Sequence, residues 1–63
     1  MSLCEIVLRV RLHDPEVRLA DVPGGSDGSV ISVDGADWFV LMTMAPEGAE
    51  AGRRLVCVPV DGL

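Results

Sequence analysis

SVISVDGADWFVLMTM, residues 29–44, decides how this chain is read. Two runs rich in β-branched and aromatic side chains flank Asp34-Gly35, and an Asp-Gly pair between apolar runs favours the type I′ turn of a two-residue β-hairpin. Such a turn sets the register: Val33 opposite Ala36, Ser32 opposite Asp37, Ile31 opposite Trp38, Val30 opposite Phe39 and Ser29 opposite Val40. Alternation then predicts one face of Ile31, Val33, Ala36, Trp38, Val40 and Met42 and another of Val30, Ser32, Asp37, Phe39, Leu41 and Thr43. Both faces are largely apolar, as in strands covered on both sides by their own domain or by a partner chain.

Upstream, CEIVLRVRL (residues 4–12) places Cys4, Ile6, Leu8, Val10 and Leu12 on one parity and Glu5, Val7, Arg9 and Arg11 on the other. Period two predicts a strand, because a helix would scatter the arginines across its apolar stripe. His13-Asp14-Pro15-Glu16 reads as a turn, Pro15 fixing its own φ and forcing Asp14 extended. Val17-Arg18-Leu19 is then a short return strand. A two-residue turn would oppose Arg11 and Arg18, so either the loop is longer or an anion lies between them.

Residues 20–28, ADVPGGSDG, form a loop by composition. Residues 45–52, APEGAEAG, form a second, with one helical turn expected near 46–51, where Pro46 followed by acids suits a helix start too short to stand alone. Residues 53–61 read as a last strand, which Pro59 confines to an edge or a bulge. The sum is an all-β chain: an antiparallel meander or small open barrel of four to five strands, one domain over residues 1–63.

Composition limits the function classes. At 63 residues with 49% hydrophobic side chains, the chain carries more apolar surface than so short a polypeptide buries well, and such chains gain stability from a disulfide, a metal or a partner. Metal is disfavoured because Cys4, Cys57 and His13 lack ligand spacing. Cys4 and Cys57 lie in the first and last strands, which neighbour one another in many small barrels, so a bridge is geometrically open. No basic leader and no 20-residue apolar run is present, which points to cytoplasmic residence without a membrane span, and there both thiols stay reduced.

The formal net charge of −5 opposes general affinity for nucleic acid or anionic lipid. His13 beside Asp14 is a solvated turn pair rather than a catalytic one, since no nucleophile or oxyanion donor accompanies it. The serines sit in no nucleophile elbow, and the glycines of residues 24–28 lie among acids without a lysine, the wrong sign for a phosphate cradle. No enzyme and no cofactor is therefore expected.

Trp38 and Phe39 point to opposite faces, so one can serve the chain's own core while the other anchors a partner. The expectation is a non-enzymatic interaction module or accessory subunit, homo-oligomeric or bound to a larger protein. Its candidate interface residues are Trp38, Phe39, Val40, Leu41 and Met42 of the hairpin and Arg9, Arg11 and Arg18, read as lying on one sheet face. Two alternatives follow from charge: an acidic decoy for a nucleic-acid-binding protein, and a small barrel binding nucleic acid through Arg9, Arg11 and Arg18, which the net charge and the lack of interleaved aromatics oppose.

Overall fold

The computed structural model describes residues 3–22 and 25–62; Pro23 and Gly24, read as part of a loop, lie outside the described residues. Five strands form one sheet: β1 (Leu3–Leu8), β2 (Glu16–Asp21), β3 (Val30–Val33), β4 (Ala36–Met44) and β5 (Arg53–Pro59), in the order β2-β1-β5-β4-β3. A 3-10 turn, Val60–Gly62, follows. The all-β fold therefore forms, with one difference from a pure meander. The first and last strands, β1 and β5, lie side by side in parallel, and every other pair is antiparallel.

The sheet curls. Arg18 of β2 and Asp34, in the turn after β3, belong to opposite edges of the sheet order, yet Arg18 Nε lies 3.6 Å from an Asp34 carboxylate oxygen. Twist accumulated over five strands brings the two edges together and makes a half-barrel.

The hairpin forms as the sequence predicts. Asp34 and Gly35 adopt φ of 52° and 81°, the pair of positive values a type I′ turn needs, and Val30, Ile31, Ser32 and Val33 pair with Phe39, Trp38, Asp37 and Ala36. At the next rung two residues oppose one: Gly28 donates its N–H to the Val40 carbonyl, and Val40 donates its own to Ser29. Gly28 stands at φ 86°, as required of the glycine in this type of bulge and in the turn that Ser29 N–H closes onto the Ser26 carbonyl.

The core fills the inner face of the half-barrel. Cys4, Ile6 and Leu8 of β1, Leu55 and Cys57 of β5, Val40 of β4 and Ile31 and Val33 of β3 are buried together, with Ala20, Val22 and Trp38 packed against them. One end is closed by Arg53, which points inward and donates to the Val22 and Gly25 carbonyls and to Cys4 Sγ. Gly25 is held close there: a Cβ would stand 3.0 Å from Leu55 Cδ1 and 3.3 Å from Val22 Cγ1.

Four expectations are corrected. The first strand ends at Leu8 rather than at residue 12, so Arg9, Arg11 and Leu12 belong to a long loop and Arg18 pairs with Ile6, not Arg11. Pairing between β4 and β5 slips by one residue at Leu41, so Met42 faces outward, opposite Val56, rather than sharing a face with Val40. β5 is central despite Pro59, which is its last residue: Arg9 still donates its N–H to the Cys57 carbonyl, and the N–H that Pro59 lacks is the one that would next meet the Arg9 carbonyl, so the β1–β5 ladder ends there. No helix forms over residues 46–51, which run as bends and a turn at 49–50, with the Glu47 and Gly48 amides bonded to Glu5.

Candidate interaction surface

The outer face of the sheet carries apolar rows of its own. Strand register aligns Val17, Val7, Val56 and Met42 in one row across β2, β1, β5 and β4, and Val58, Phe39 and Val30 in another across β5, β4 and β3. Val7 and Val56 at the centre are buried by their neighbours, while Val17, Leu19, Val30, Met42 and Met44 around them are about half exposed. Asp21, Ser32 and Asp37 bound these rows on the same face, and apolar rows of this continuity are uncommon on a free monomer.

One buried charged device interrupts this face. The Glu5 carboxylate, nearly buried, accepts the backbone N–H groups of Glu47 and Gly48, both at 2.8 Å, and Arg54 Nη1 lies 3.2 Å from the same carboxylate. These amides, with Arg54 adding to them, hold the Glu5 carboxyl below its ordinary value of 4.5 against the opposing effect of burial. Arg54 also reaches Glu47 at 3.3 Å. The device pins loop 45–52 to the end of the sheet and neutralises its own charge, so the outer face carries no buried unpaired ion. Alternation assigns Glu5 to the solvent side of the first strand, and nothing local in the sequence marks it as a loop anchor.

At the open mouth of the half-barrel, Leu8, Val33, Ala36 and Trp38 form the floor of a cleft of about 390 Å³, rimmed by His13, Asp14, Glu16, Arg18 and Asp34. Arg18 is held by Glu16 at 2.8 Å as well as by Asp34. Trp38 Nε1 is buried with no hydrogen-bond partner among the described residues. No Ser, Thr, Cys or Lys lines the cleft, and among the described residues no three His, Cys, Asp or Glu side chains converge as metal ligands do.

The candidate interface residues separate. Phe39 and Met42 lie on the outer face, and Leu41 is pushed out by the slip in register. Trp38 faces inward onto the cleft, and Val40 is fully buried in the core, which removes it from any surface. The arginines do not share a face: Arg9 and Arg11 are exposed in loop 9–15, Arg18 lies on the inner rim, and Arg53 and Arg54 point to opposite sides at the other end.

Cys4 and Cys57 do occupy neighbouring strands, but Cys4 pairs with Arg53 and Cys57 with Leu8. Four rungs, about 13 Å at roughly 3.3 Å per residue, separate them, well beyond disulfide reach. Both are buried free thiols, and burial pushes the Cys57 thiol up to about 11, leaving it an inert hydrophobe at neutral pH. Among the described residues no helix is long and apolar enough to cross a membrane. Comparison with protein-family models, with curated proteins and with solved structures finds no match for the chain.

Proposed function

We propose that this chain is a non-enzymatic protein-interaction module that uses the outer face of its sheet as the contact surface. The observation that carries the reading is the continuity of the two apolar rows, Val17-Val7-Val56-Met42 and Val58-Phe39-Val30, whose rims stand half exposed to water. At about 25 cal/mol per Å² of apolar area withdrawn from water, covering such a face adds stability to so small a chain. The Glu5–Arg54 pair supports it, since the one ion buried at the centre of the face is already matched and can be covered without being stranded.

Light scattering coupled to size exclusion tests the reading, with Met42→Glu as the disruptive variant. A defined oligomer, or a stoichiometric complex from the native source, that Met42→Glu dissociates is the expected result. A monodisperse monomer with a high melting midpoint and no stoichiometric partner would overturn it.

A further inference from the structure

Loop 9–15 carries three features that the fold does not account for. His13 donates its backbone N–H to the Val10 carbonyl at 3.1 Å, closing a four-residue turn whose third position is Leu12, at φ 67°. That position suits glycine or asparagine, and a leucine held there is strained. Leu12 is also 96% exposed, so no packing compensates. On either side, Arg9 and Arg11 are exposed, and their side chains have no acceptor among the described residues, whereas Arg18, Arg53 and Arg54 all have one. Between the loop and the sheet, Val10, Leu41, Val58 and Pro59 form the apolar side of a groove of about 370 Å³ whose other side is Arg9, Arg11, Leu12 and His13 of the loop itself, with Leu41 turned into it by the slip in β4–β5 pairing.

We infer that loop 9–15 is a docking knob: Leu12 enters an apolar socket on a partner protein while Arg9 and Arg11 engage carboxylates around that socket. The inference rests on the interaction-module reading and names the chemistry of the partner at a place adjoining the outer face through Leu41 and Val58. Charge selects the occupant. A chain of net charge −5 that leaves two guanidiniums free on one loop presents a local basic spot complementary to an acidic segment, and Arg forks grip carboxylates bidentately. Nucleic acid is the weaker fit, because the acidic remainder repels phosphates and no aromatic lines the groove for stacking. Strain held at an exposed apolar side chain is a feature of sites selected for contact rather than for stability.

The test is selection of random displayed peptides on the immobilised full chain, followed by anisotropy titration of the winning peptides as labelled synthetics. The expected consensus is acidic residues around a leucine-accepting apolar centre. Affinity should fall at least about tenfold for Leu12→Gly and for the Arg9→Gln/Arg11→Gln pair, yet stay within about twofold for Glu50→Gln, exposed in loop 45–52 at the other end of the sheet. The melting midpoint of Leu12→Gly should hold or rise, which separates lost contact from lost fold.

No consensus, a basic consensus, or equal affinity for Leu12→Gly would overturn the knob. So would arginine-dependent binding of a short DNA duplex with no peptide selected, or self-association abolished by Leu12→Gly, which would make a second copy the occupant. Binding that depends on Met42 and not on Leu12 would leave the outer-face reading standing and the knob refuted.

Discussion

β1 and β2 lie side by side, paired from Leu3 with Asp21 to Leu8 with Glu16, yet nearly all of β1 is buried and nearly all of β2 is exposed. Hydropathy does not explain the contrast, since Val17 and Leu19 of β2 are as apolar as Val7 of β1 and stand half exposed. Position does. β1 has β2 on one side and β5 on the other, so even its outward Glu5 and Val7 are sheltered, whereas β2 is an edge. Between these two strands burial follows rank in the sheet. Elsewhere the face decides, since Ile31 and Val33 of the edge strand β3 are buried on the inner side while Met42 and Met44 of the interior strand β4 stand half exposed on the outer one.

Substitutions of matched kind on the two strands sharpen that contrast. Ile6→Ala, in the fully buried centre of β1, should lose about 2–5 kcal/mol in chemical denaturation, the range for a large core side chain cut to alanine. Glu5→Gln comes next and acts through pH. Because the folded carboxyl titrates below 4.5, its contribution is complete above that value and is lost as pH falls through the depressed one. Glu5→Gln should therefore flatten the acid side of the stability profile and speed amide exchange at Glu47 and Gly48.

The loop that joins the two strands gives a gain in place of a loss. Leu12→Gly should raise stability by up to about 1 kcal/mol in thermal denaturation, because the left-handed conformation costs an L-residue about 1–2 kcal/mol and glycine gives part of that back as chain entropy. Smallest of all, Leu19→Ser on β2 should change the isolated chain by no more than about 0.5 kcal/mol. A Leu19→Ser cost as large as that of Ile6→Ala would mean that the edge is covered in solution, and would erase the distinction between the strands.

Local chemistry made part of this legible. Asp34-Gly35 specified a turn and four rungs of register because both positions needed positive φ and only such residues adopt it readily. Alternation in residues 4–8 identified the inward Cys4, Ile6 and Leu8 for the same kind of reason, since period two is a property of the extended backbone itself. The slip at Leu41 was not legible. Nothing in FVLMTM distinguishes one more rung from an extra residue, so Met42 changed sides and the outer face gained an apolar member that the pattern had assigned to the core. Glu5 was hidden for a different reason: the amides that bury it come from Glu47 and Gly48, more than forty residues along the chain.

By itself, then, the sequence determined that this chain is built of strands, where its tightest hairpin turns, and that it holds more apolar surface than one layer can hide. Those are consequences of φ, ψ and side-chain alternation acting over a few residues. Only the tertiary structure decided that β1 and β5 meet in parallel at the centre, that Cys4 and Cys57 sit out of reach of one another, and that Arg9, Arg11 and Leu12 gather on one loop while Arg18 is tied to the rim. Each of these depends on which strands become neighbours, and that is settled by long-range packing between segments with no local signal for one another.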